Sequence, residues 1–212
     1  PTTHPLFIGE TGWRLKGAVL EAIQSADAIL MLDWLDGGNA LKLAFPAGVS
    51  RPPVINVSND FHMHRGWNMD YGGLPAVDVS IPTVTSTTVA ALLDGLEKPV
   101  PAIPLQGWDL PKLEGKGEIG LMDLALAFFH VTKDREICIT GRPLGWPLNA
   151  NEITHPLGFL GHTGGGGLGA GTSIAVGAAL GLREIGSKRR AVAILGDGDF
   201  TMGLTAIWNA AT

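Results

Sequence analysis

One cysteine, Cys138, occurs in the 212 residues, which excludes a disulfide framework and a cysteine-based metal site within the chain. Basic residues are outnumbered, 15 Lys and Arg against 20 Asp and Glu, for a formal net charge of -5. The missing cationic surplus argues against a nucleic-acid partner, whose phosphates need a basic face. The only basic cluster, Lys188-Arg189-Arg190, directly precedes an apolar run and reads as a solvated turn. No unbroken apolar stretch is long enough to span a bilayer. The start, Pro1-Thr2-Thr3-His4, has no initiator Met and none of the charged and apolar regions of a signal peptide. A cytoplasmic setting is therefore the default expectation. Thr212 is expected about three turns into a helix, so the chain reads as an internal piece of a longer protein.

What is present is enough apolar material, 45% of the residues, for one large or two small globular domains. In residues 1–97, Ala18, Val19, Ala22 and Ile23 recur at helical spacing between Gly17 and Ser25, and Ala26 to Leu32 follows as a buried strand. The loop Asp33 to Gly38 comes next. Further strands are expected over Pro53 to Val57 and Val77 to Ile81, and a helix over Thr87 to Leu96. Residues 98–117 carry Pro99, Pro101, Pro104 and Pro111, and proline, which fixes φ and removes a donor, marks a semi-rigid linker. In residues 118–212, Leu121, Leu124, Ala125 and Phe128 mark a helix, Glu136 to Thr140 a strand and Ala191 to Leu195 another. Strands alternating with helices predict an α/β fold, with a doubly wound parallel sheet in each segment.

The second segment holds two glycine-bearing stretches. The run Gly164-Gly165-Gly166-Gly167-Leu168-Gly169 opens a helix with few bulky side chains on one face, which lets it pack close to a neighbour or a ligand. Alone, such a run is more often a turn than a ligand cradle. The last expected strand ends in Gly196-Asp197-Gly198-Asp199. Parallel sheets place ligand chemistry beyond the carboxyl ends of their strands. Asp197 offers a hard oxygen ligand there for Mg²⁺, and Gly198 lets backbone approach a phosphate.

With Leu168 and Asp197 on either side of a helix and a strand, the chain resembles the thiamine-diphosphate-dependent enzymes of the acetolactate synthase, pyruvate decarboxylase and benzoylformate decarboxylase type. His4-Pro5-Leu6, Ser25-Ala26-Asp27 and the Gly-Leu-Pro-Ala-Val-Asp segment at 73–78 read like the synthase-like members. The resemblance implies that residues 1–97 are that family's central domain lacking its start, and that 118–212 are its diphosphate-binding domain, truncated at the C-terminus. It implies Asp197 as the metal ligand. Gly167, Leu168, Gly169, Gly196, Gly198 and Asp199 would then line thiamine diphosphate, with Leu168 as the apolar residue that bends the cofactor into a V. It also implies an enzyme, transferase or lyase, acting on 2-oxo acids, with synthase-type carboligation preferred over decarboxylation. The fragment itself would be inactive, because the activating glutamate is expected outside it, and active sites are expected between subunits of a dimer or tetramer.

The chain also departs from that pattern. The family's asparagine pair falls past Thr212, and Asn209, only twelve residues after Asp197 on the same expected helix, is not accepted as a substitute. The activating glutamate belongs to a domain absent here. Asp199 would repel a diphosphate, so an N-cap of a helix from about Phe200 is the preferred reading of it. His162 is the candidate for contact with substrate or pyrimidine, with a backbone-bonded loop residue as the competing reading. His155 ranks lower, and His62 and His64 read as surface loop residues. Trp146 and Phe159 are candidates for the substrate entrance, against plain packing. FAD binding by the first segment is suggested by the synthase branch, yet residues 1–97 lack a Gly-x-Gly-x-x-Gly turn. A non-catalytic cofactor-binding relative is the remaining alternative.

Overall fold

The computed structural model describes residues 2–9, 15–34, 36–59, 74–96, 117–143, 145–160 and 167–211. It divides into two compact units, one formed by Ile8–Ile103 and the other by Pro1–Phe7 with Pro104–Thr212. Both are mixed α/β with parallel sheets, as the alternation of apolar runs predicts.

In the first unit, α1 (Gly17–Gln24), β1 (Ile29–Leu32), α2 (Gly37–Ala44), β2 (Val54–Val57), β3 (Val79–Ile81) and α3 (Thr85–Gly95) follow in order. The sheet is β1-β2-β3, with Ile29 opposite Val54 and Ile55 opposite Val79. Its core gathers Ile29, Met31, Leu41 and Val54, flanked by Ile23 and Phe45. The strand expected over 26–32 is shorter, and only one of its faces is buried: Ile29 and Met31 point inward while Leu30 and Leu32 stay exposed. Asp78 fastens this sheet at one end. Its Oδ2 accepts from the Val54 N–H at 2.7 Å and from Arg51 Nη1 at 2.6 Å. The Arg51 guanidinium, then the Val54 amide, hold the carboxyl below its ordinary value of 3.8.

The second unit contains α4 (Leu121–Thr132), β4 (Ile137–Gly141), two 3-10 turns (Leu148–Ala150 and Pro156–Gly158), α5 (Ala170–Glu184), β5 (Arg190–Ala193), α6 (Asp197–Met202) and α7 (Thr205–Ala211). Strands β4 and β5 pair in parallel from Ile137 opposite Arg190, and Phe159 adds a parallel bridge to Ile139. Ala125 and Leu126 of α4 pack with Trp146 and Ala150 as its core. Asp123 reaches back to the Gly120 N–H at 2.9 Å and satisfies one donor at the start of α4.

Two expectations fail here, and one contact explains the second. The helix expected from Phe200 begins at Asp197, and it breaks at Gly203, so Asn209 lies on a different helix from Asp197. The break arises because Gly203 is pressed against the first turn of α5. A Cβ there would meet the Gly169 carbonyl oxygen and the side chain of Thr172, far inside normal contact distance. Trp146, weighed between the substrate entrance and plain packing, is 3% exposed and meets Phe128 edge to face at 6.0 Å, so packing is the reading that holds. It is core because a large aromatic contributes most when it is fully buried.

Candidate functional site

Strand β5 ends at Ala193, and Ile194 and Leu195 lead to Gly196, the residue before α6. Asp197 therefore follows the carboxyl end of a parallel strand, the position that open α/β sheets use for ligands. It is exposed, and its Oδ1 accepts from the Gly198 N–H at 2.9 Å, which sets the direction of the carboxylate. Thr201 Oγ1 donates to the Asp197 carbonyl oxygen at 2.5 Å, tying down the first turn.

The turn at Leu168 and Gly169 precedes α5, which packs against both β5 and α6. Gly169 has φ +89, a left-handed conformation that glycine adopts without steric penalty. Its N–H donates to Asp199 Oδ1 at 2.5 Å. This contact corrects the reading of Asp199 as an N-cap: Gly196 occupies that position, and Asp199 lies in the first turn of α6 and reaches across to the glycine turn. Its charge is directed to a backbone donor, so it does not act as a free carboxylate beside a phosphate. Gly171 explains how the two segments come so close. A Cβ there would lie 2.5 Å from both Asp199 Oδ2 and Leu195 Cδ2.

The structure thus brings Leu168, Gly169 and Asp199 together, with Asp197 two residues from Asp199. Leu168 is 67% exposed. Among the described residues, a Cβ at Gly167, Gly196 or Gly198 would meet nothing within 4 Å, so their backbone is open to approach. Among the described residues, no group of three or more His, Cys, Asp or Glu side chains could hold a metal ion.

His162, with Gly164 to Gly166, lies outside the described residues, as do His62 and His64. His155 caps the second 3-10 turn, where its Nδ1 accepts from the Leu157 N–H at 3.0 Å. Phe159 is half-buried beside β4, with the Arg142 guanidinium 5.6 Å from its ring centre. Sequence reasoning missed the Asp199–Gly169 bond. The spacing of thirty residues carries no signal without the fold, although the glycine at 171 marks a close approach.

Residues 140–212 match the family model for the thiamine pyrophosphate enzyme C-terminal TPP-binding domain. Among solved structures, the X-ray structure of a candidate thiamin diphosphate-dependent enzyme isolated from Mycobacterium smegmatis is similar, with a TM-score of 0.61 and 22% identity. The similarity covers 91% of this chain and 37% of that one, and at this identity it shows a shared fold. The chain thus spans well under half the length of that relative. No curated protein matches. Residues 140–212, which hold the Leu168–Gly169 turn and Gly196-Asp197-Gly198, are thus similar to the C-terminal TPP-binding domain of thiamine pyrophosphate enzymes, and the chain shares the fold of the solved structure.

Proposed function

We propose that the chain is part of a Mg²⁺- and thiamine-diphosphate-dependent enzyme acting on 2-oxo acids, with carboligation of the acetolactate synthase type as the preferred reaction. The observation that carries the reading is the convergence of the Leu168–Gly169 turn with the start of α6 through the Asp199–Gly169 bond. Asp197 would hold the metal, through a carboxylate oriented by the Gly198 N–H. The open backbone at Gly167, Gly196 and Gly198 would admit the diphosphate. Leu168, exposed at the turn, would present its apolar side chain to the rings.

When bound, thiamine diphosphate supplies the electron sink for breaking the bond between the carboxylate and carbonyl carbons of a 2-oxo acid. The residues of this chain bind and orient. Asp199 holds the glycine turn in place, and the close packing at Gly171 and Gly203 keeps both segments rigid, which limits reorganisation when the charged group arrives. The acid–base group belongs to a domain beyond this chain, so a homo-oligomer with sites between subunits is part of the proposal, as is a cytoplasmic setting. Decarboxylation without carboligation is the alternative within the same superfamily.

Titration calorimetry of thiamine diphosphate with Mg²⁺ tests the assignment. Asp197→Ala should weaken binding at least tenfold, as expected for loss of a charged ligand. Equal affinity in both proteins would remove Asp197 from the site.

A further inference from the structure

The first turn of α6 carries two carboxylates, Asp197 and Asp199. At 3.6 residues per turn, positions two apart lie about 200° around the helix, so the two side chains leave it on opposite sides. Asp197 stays exposed, with its Oδ1 on the neighbouring Gly198 N–H. Asp199 is half-buried and turned towards α5. Its Oδ1 accepts from the Gly169 N–H at 2.5 Å, and its Oδ2 lies 2.5 Å from where a Gly171 Cβ would stand. Both oxygens thus face the start of α5.

The start of α5 has no acceptor of its own for that N–H. Gly169 is the N-cap and has no side chain to offer. In a capping box, the residue three positions further on reaches back to the N-cap N–H. Here that residue is Thr172, 2% exposed, and its Oγ1 has no hydrogen-bond partner among the described residues. Asp199 supplies the missing acceptor from a different helix. The Gly169 N–H also belongs to the rigid peptide plane that joins Gly169 to Leu168. An acceptor on this N–H therefore holds the plane that ends in the Leu168 Cα, from which the side chain departs. Leu168 is 67% exposed, so packing of the side chain itself does little to orient it.

We infer that Asp199 is a positioning residue that sets ring binding through the Leu168–Gly169 turn and leaves the metal–diphosphate half of the site to Asp197. The inference rests on the cofactor reading above and assigns the two halves of the cofactor to different carboxylates. A second negative charge two residues from the metal ligand repels a diphosphate. What offsets that repulsion is the turn it holds, so its removal separates the two effects: ring binding falls while diphosphate binding does not.

Calorimetry on the full chain with Mg²⁺ compares thiamine diphosphate with inorganic pyrophosphate, which has no rings. Asp199→Ala should weaken thiamine diphosphate about tenfold, the scale of one hydrogen bond to a charged group, and leave pyrophosphate at or above its wild-type affinity. Asp199→Asn keeps an acceptor oxygen and should recover part of the loss. Leu168→Ala should show the same split between the two ligands. The double variant should lose no more than the larger single loss, because one residue acts through the other. Asp197→Ala, by contrast, should weaken both ligands. Equal weakening of both ligands by Asp199→Ala, no change in either, or additive losses in the double variant would overturn the inference and leave the cofactor reading standing. Wild-type protein that binds neither ligand would overturn both. Should Asp199→Ala fail to fold, Asp199→Asn decides alone: a loss confined to thiamine diphosphate supports the inference, and equal loss or no loss rejects it.

Discussion

Three glycines of α5 give the same substitution opposite outcomes. In a helix interior, Gly→Ala gains about 0.8–1.0 kcal/mol from reduced backbone entropy cost. At Gly177 and Gly181, which are exposed and would place a Cβ clear of every described residue, that gain should appear undiminished, a rise of roughly 2–4 °C in Tm for a chain of this size. At Gly171 the new methyl would lie 2.5 Å from Asp199 Oδ2 and from Leu195 Cδ2. Overpacking of this kind costs roughly 1–3 kcal/mol. Pushing Asp199 away also weakens its bond to the Gly169 N–H, and hydrogen bonds to charged groups contribute about 1.5–3 kcal/mol. Because Asp199 is only half-buried, a value near the lower end applies. Adding about 1.5 kcal/mol for that bond and subtracting the helix gain leaves Gly171→Ala destabilised by roughly 1.5–3.5 kcal/mol. Urea unfolding of the three variants, followed by circular dichroism, measures the differences directly. A Gly171→Ala protein as stable as Gly177→Ala would refute the close packing of α5 on α6, and with it the positioning of the glycine turn.

Two further outcomes concern ionisable groups. Asp78 has a folded pKa below its unfolded one, so the Arg51–Asp78 pair contributes stability above about 3.8 and loses it as pH falls through the depressed folded value. The stability gap between wild type and Asp78→Asn should therefore close on acidification below that point; a gap independent of pH would show that the carboxylate's charge contributes nothing. Burial pushes the Cys138 thiol up from its usual 9.0 despite the nearby Arg189. Iodoacetamide at pH 8 should modify it only after urea unfolding, and rapid labelling of the folded protein would contradict its burial.

Much of this protein is legible in local pattern, because short apolar runs between helical periods leave few options but parallel strands. The runs at 53–57 and 136–140 coincide with β2 and β4 to within a residue at each end, and Gly196-Asp197-Gly198 marks the end of a strand by composition alone. Side-chain direction was harder. Trp146 as core, Leu30 and Leu32 as exposed, and the early start of α6 all depend on which surfaces meet. Asn151 shows the same difficulty, since nothing in Ala150-Asn151-Glu152 distinguishes a loop amide on the surface from a buried one.

The sequence by itself determined the α/β alternation, the glycine run that opens α5 and the placing of a carboxylate after a strand, all consequences of periodicity and backbone sterics. Only the tertiary structure decided that Asp199 serves the Gly169 N–H and that the helix after Asp197 must break at Gly203. The physical reason is that both follow from the close approach of α5 to α6, a contact between segments about thirty residues apart. Its energy depends on ångström-scale fit, which no local pattern encodes.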